Sequence, residues 1–146
     1  MDDSLSTELE AEIENRLLAA RKAWTAGDLV TAEKLIEEAW GKIPEPKLKY
    51  ATGQILGQGA VRFYLDTKQF KKAREWLAVI ETRYGSNDAT ILLLLGEIAF
   101  EEGSMEEAAR VFGDLYATDG ARVFRGLDAK YLKFAQSSAP PGKRRR

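Results

Sequence analysis

Any catalysis in this chain would have to run on carboxylates, because its 146 residues include no histidine and no cysteine. The missing histidine removes the commonest general base, the commonest metal ligand and the usual pH switch together. The missing cysteine removes thiol nucleophiles, thiolate metal sites and any disulfide framework. Carboxylates working in pairs do serve as acid and base in other proteins. The densest run here, Glu8, Glu10, Glu12 and Glu14, alternates around a helix and reads as a solvated face. The glycine-rich stretch GQILGQGAV lacks the Lys-Ser/Thr end of a phosphate loop and falls within a predicted helix, not after a strand. The sequence predicts no enzyme, no catalytic residue, no metal site and no cofactor.

The elements that position these residues follow a repeating pattern. Three segments share it: AARKAWTAGDLVTAEKLIEEA, GAVRFYLDTKQFKKAREWLAVI and GEIAFEEGSMEEAARVFGDL. In each, a helix of small residues runs into a turn, and a second helix then places an alanine shortly after it. The aligned alanines are Ala32, Ala73 and Ala108, with spacings of 41 and 35 residues. A period in this range is the signature of stacked helical pairs. A helix pair with two apolar faces cannot bury both alone, so it stacks on a neighbour.

These segments resemble the tetratricopeptide repeat, a helix–turn–helix unit of about 34 residues. The first copy carries Gly27-Asp28-Leu29 at the turn, then Ala32, Ile36 and Ala39, with Pro44 as terminator. The third carries Gly96, Gly103-Ser104-Met105, Ala108, Phe112 and Leu115. The second has Val61, Tyr64, Lys68-Gln69-Phe70, Ala73 and Leu77, but neither a turn glycine nor a terminal proline. The resemblance implies an all-α fold: a right-handed α-solenoid of antiparallel helix pairs with about seven helices. The repeats would lie at about 13–46, 47–86 and 87–120, within a helical domain covering 1–136.

Helix 1 is expected from about Leu5 to Ala26 with a capping box at Thr7 and Glu10. A second capping box is expected at Ser104 and Glu107. Helix 5, about Asp88 to Glu102, is the most apolar and should be the most buried. The segment ARVFRGLDAKYLKFAQ, 121–136, reads as a capping helix, broken at Gly126 with Asp128 as a new cap. Residues 137–146 read as a disordered basic tail. The interior glycines Gly53, Gly57 and Gly59, with Ala60, imply close backbone packing or the approach of a ligand chain.

The resemblance also implies a function: a non-catalytic protein–protein interaction module that holds a peptide or protein segment in a concave groove, as an adaptor, chaperone or effector inhibitor does. Its groove residues would be Leu17, Arg21 and Trp24 in the first copy, Gln58, Arg62 and Leu65 in the second, and Leu93, Glu97 and Phe100 in the third. Of the positions that form a chaperone-tail carboxylate clamp in such repeats, only Arg21 could serve, so that clamp is not expected.

Formal charge alternates along the chain, at −6 for residues 1–46, +5 for 47–84, −7 for 85–120 and +7 for 121–146. Two readings follow. The alternation ties neighbouring units together, or the basic middle band steers an acidic partner with apolar anchors to Arg62, whose side chain would then face solvent. An alternative function is a nucleic-acid-associated factor using the basic middle repeat and the tail Lys143–Arg146. The N-terminus, MDDSLSTELE, has no apolar core, and the longest apolar run, Ile91–Leu95, is far too short to span a bilayer. No membrane span and a cytoplasmic location are expected.

Overall fold

The structure, a computed structural model, describes residues 4–139. Seven α-helices and two 3-10 turns form it, and no strand occurs among the described residues. The helices are α1 (Thr7–Thr25), α2 (Leu29–Lys42), α3 (Ala51–Asp66), α4 (Phe70–Tyr84), α5 (Ala89–Glu102), α6 (Met105–Asp119) and α7 (Ala129–Ser138). None is long and apolar enough to cross a membrane. The chain divides into two compact units, Met1–Ala60 and Val61–Arg146, and the division falls within α3.

The three turns recognised in the sequence share one geometry. Each helix ends on a residue with positive φ: Gly27 at 83°, Lys68 at 61° and Gly103 at 91°. The following amide then reaches back to the carbonyl five residues earlier: Asp28 to Ala23, Gln69 to Tyr64 and Ser104 to Ala99, each at 2.8 Å. This is the Schellman closure of a helix end. Glycine enters the left-handed region freely, whereas a residue with a Cβ is strained there by about 1–2 kcal/mol. Lys68 carries that strain, which is why the second copy looked weakest by sequence while making the same turn.

In the first unit α1 packs along α2. Ile13 and Ala20 of α1 and Ala32, Ile36 and Ala39 of α2 are buried. Lys42 to Glu12 at 3.0 Å and Arg16 to Glu38 at 3.6 Å flank this seam. Lys47 closes the C-terminus of α2, donating to the carbonyls of Trp40 at 2.9 Å and Ile43 at 2.6 Å. That terminus is the negative end of the helix dipole, where a cation is favoured. Gly53 fits against the Lys47 carbonyl so tightly that a Cβ would overlap it.

In the second unit α5 packs on α6, α6 on α7, and α4 on α5. Helix α5 buries Ile91, Leu94, Gly96, Glu97, Ile98 and Ala99, yet it is not the most buried helix as expected, since α3 buries Gly53, Leu56, Gly57, Ala60, Val61, Phe63, Tyr64 and Leu65. Gly96 admits the Phe112 ring into the α5–α6 contact, in space a Cβ would fill. A Cβ on Gly113 would stand 2.5 Å from the Ser138 carbonyl, so α6 and α7 meet backbone to side. Phe112, Leu115, Phe124, Tyr131 and Ala135 form the buried centre of this end. The chain does break near Gly126, and Asp128 caps α7 through the Lys130 amide at 3.0 Å.

Some expected boundaries are corrected. Ser6, not Thr7, caps α1, its hydroxyl accepting from the Leu9 amide at 3.2 Å. The second capping box does not form: Ser104 donates to Glu102 and Glu107 instead takes Arg74, since the cation outcompetes a backbone amide. The sequence suggests helix 3 from about Leu48, but Lys47–Lys49 form a 3-10 turn and α3 starts at Ala51. Finally α7 runs to Ser138, and Ala139 is buried, because this stretch packs against Gly113. Residues 137–139 are thus not tail, and the Lys143–Arg146 run lies outside the described residues.

Candidate functional site

The groove residues expected from the sequence divide into three environments. Leu17, Arg21 and Trp24 lie on one face of α1 and line an open cleft in the first unit. Ala20 and Ile36 form its floor, and Ile55, Leu56, Gly59 and Ala60 of α3 form the opposite wall. The lining is mainly apolar, with a volume of about 130 Å³. Ile55 is 69% exposed. Arg21 is exposed and makes no ion pair or hydrogen bond with any described residue. Gly59 has no atom within 4 Å of where a Cβ would stand. The two readings of the glycine cluster therefore separate: packing explains Gly53, and no described residue packs against Gly59, which weakens its helix by about 1 kcal/mol relative to alanine.

Arg62 and Leu65 stand elsewhere, at a polar cleft of the second unit that Asp66, Lys68, Glu101, Lys130 and Tyr131 complete. Arg62 does reach solvent, with its side chain 38% exposed, but the expectation that it is free for a ligand is corrected here. Its guanidinium forks onto Glu97, Nη1 to Oε1 at 2.9 Å and Nη2 to Oε2 at 3.0 Å. Glu97 is 3% exposed, and Leu65 is buried. The bidentate bond to Glu97 raises the Arg62 pKa above its ordinary value against the effect of burial. Asp66, one turn along α3 at 3.8 Å, is pushed up instead, because burial outweighs the attraction of Arg62. Across the cleft the Tyr131 hydroxyl donates to Glu101 at 2.6 Å, and Lys130 pairs with the same carboxylate at 2.9 Å. Burial and that anionic neighbour hold the Tyr131 phenol well above the usual range.

Leu93 and Phe100 belong to the C-terminal core. The Phe100 ring meets Tyr131 and Phe134 edge to face, with centroids at 5.4 and 5.1 Å. The Lys130 ammonium sits 5.5 Å from its centroid. Thus α7 covers the positions that the third copy would have offered to a ligand. Gln58 is half-buried and lines neither cleft.

The basic middle band is largely spent inside the protein. Lys47 closes α2, Arg62 holds Glu97, and Arg74 bridges Glu102 and Glu107, the latter at 2.6 Å. Lys49, Lys72 and Arg83 lie over the rings of Tyr50, Tyr64 and Tyr84. Only Lys68 and Lys71 of this band lack such a contact among the described residues. Bonding to Arg74 lowers the Glu102 pKa. Glu101 is opposed by burial but falls below its ordinary value through Tyr131 and Lys130. The alternation of charge therefore ties the 47–84 and 121–139 segments to the acidic 85–120 segment. No group of acidic residues among those described is arranged to hold a metal ion.

Sequence reasoning missed Ile55, Leu56 and Ala60 as partners of the α1 face. The signal was available: Ile55 and Gly59 are four residues apart on α3, as Leu17 and Arg21 are on α1, so each pair shares a helix face. No protein-family profile, curated protein or solved structure matches this chain.

Proposed function

We propose that this chain is a non-catalytic protein-interaction module whose docking surface is the cleft of the first unit and the adjoining face of α1. The reading keeps the tetratricopeptide-like expectation of a segment held between successive helices, and moves the ligand from Arg62 to Arg21. One observation carries it: an open apolar cleft bordered by an exposed arginine that no described residue pairs with. Arginine and aromatic side chains are the usual anchors of interfaces, and Arg21 and Trp24 supply both. The partner segment would offer a carboxylate to Arg21 and an apolar side chain to Leu17 and Ile55. An adaptor, a chaperone or an inhibitor each fits this chemistry.

The test uses wild type, Arg21→Glu and Ile55→Glu as parallel baits in extract of the source cells. A protein captured by the wild type is purified and titrated against all three. The reading expects both variants to weaken it at least about tenfold, with the Arg21 effect reduced in high salt. Equal affinity of the three baits would place the ligand elsewhere.

A further inference from the structure

The exposed side of α1 carries an unusual order of residues. Glu14, Leu18, Arg21 and Lys22 fall on one helical face, since they are three or four residues apart. Leu18 is 56% exposed at its centre, among the largest apolar exposures in the protein. Glu14 is on the N-terminal side of it, and Arg21 and Lys22 are on the C-terminal side. All three charged groups are exposed and pair with no described residue. Their neighbours Glu12 and Arg16, on the inner side of the same helix, are both paired to α2.

Such a face is complementary to itself when turned end for end. Two copies of α1 laid antiparallel, with the two-fold axis at Leu18, bring the leucines together. Each Glu14 lies about 6 Å along the axis from Leu18, and Arg21 and Lys22 lie about 4.5 and 6 Å the other way. The reversal therefore sets Glu14 of each copy against Arg21 and Lys22 of the other, twice per dimer. An isologous contact of this kind closes on itself and leaves no open end. Ile55, on the α3 wall beside Arg21, adds apolar area at the edge of the contact.

We infer that the first occupant of this docking surface is a second copy of the chain, joined through α1 in an antiparallel pair centred on Leu18. The inference rests on the reading of the first unit as a docking surface and names its partner. Charge argues against the chain's own end: residues 140–146 are two prolines, a glycine and four cations, which Arg21 and Lys22 repel. A contact built mainly from one helix pair is smaller than the standard interface of about 1,600 Å², so the dimer is a reversible one, with Kd on the order of 10 µM. Self-association would cover Arg21, so it competes with any foreign segment for the same site.

Sedimentation velocity of the purified full chain from about 1 to 300 µM reads the outcome directly. The wild type is expected to shift from 16.3 kDa toward twice that mass. Because each residue counts twice across the axis, Leu18→Glu should weaken the dimer on the order of 100-fold. Arg21→Glu should weaken it at least about tenfold. The triple variant Glu14→Arg, Arg21→Glu, Lys22→Glu exchanges the charges and should restore most of the loss, which a merely disruptive change would not do. Circular dichroism melts check that the variants keep the wild-type fold. A wild type at monomer mass throughout overturns the inference. So does a dimer indifferent to Leu18→Glu, or a triple variant no better than Arg21→Glu. A monomeric wild type leaves the docking reading standing, because the bait titration above does not depend on dimerisation.

Discussion

The two ends of the protein treat similar helix faces in opposite ways. At the C-terminal end α7 lays Tyr131 and Phe134 on Phe100 of α5 and threads Lys130 and the Tyr131 hydroxyl onto Glu101. At the N-terminal end the corresponding residues of α1, Leu17, Arg21 and Trp24, border an open cleft, and Leu18 stands exposed beside it. Both faces mix aromatic, aliphatic and charged groups. What differs is whether the chain supplies its own cover. A helix face with every charge paired is structural, and one with unpaired charge around apolar surface is available to a partner.

That contrast is most sharply tested by removing the centre of the covered end. Phe112→Ala should destabilise the second unit by about 3–5 kcal/mol, since the ring is fully buried between Gly96, Phe124 and Tyr131. Hydrogen exchange resolved by peptide should place the loss in α5, α6 and α7. Protection lost equally in α1 and α2 would mean that the two units unfold together.

The ion pair of the second unit should respond asymmetrically. Arg62→Ala leaves Glu97 buried without its cation and is expected to destabilise by about 3 kcal/mol, measured by urea denaturation. Glu97→Gln leaves a guanidinium that still reaches solvent and Asp66, so the loss should be about 1 kcal/mol. Equal losses would show that the guanidinium is as dependent on the pair as the carboxylate.

Acid should loosen the covered end first. Glu101 and Glu102 both have folded pKa values below their ordinary ones, so each stabilises the fold above the unfolded value of about 4.3. That stabilisation is lost as pH falls through the lower folded values. The Trp76 emission, from the second unit, should therefore change at higher pH than that of Trp24 and Trp40 when each is the sole tryptophan. The reverse order would remove these carboxylates as the cause.

A smaller effect tests the turn shared by both ends. Lys68→Gly should stabilise by about 1 kcal/mol, because Lys68 holds φ at 61° where its counterparts are Gly27 and Gly103. A thermal melt that falls on this change would mean that the Lys68 side chain makes a stabilising contact.

Much of this was readable before the structure. Ala32, Ala73 and Ala108 are all fully buried, and the three turns aligned on them close with the same hydrogen bond. Local patterns of that kind depend on residues a few positions apart, which a sequence displays directly. The site was less readable because charge was summed by segment. The +5 of residues 47–84 suggested a basic surface, yet Arg62 and Arg74 meet acids 28–35 residues away in the chain, and no local rule pairs them. Phe100 failed for the same reason: its cover, α7, arrives from about thirty residues downstream. Arg21 keeps the exposed position its helix face suggested, because no described residue pairs with it.

The central claim is that Arg62 is structural and Arg21 is free. Thermal melts of Arg62→Glu and Arg21→Glu, recorded side by side at low protein concentration, test it most directly. The account predicts that Arg62→Glu, which sets a second carboxylate against buried Glu97, lowers Tm by about 10 °C or more, while Arg21→Glu stays within about 2 °C of wild type. Equal shifts, or a larger loss for Arg21→Glu, would contradict it.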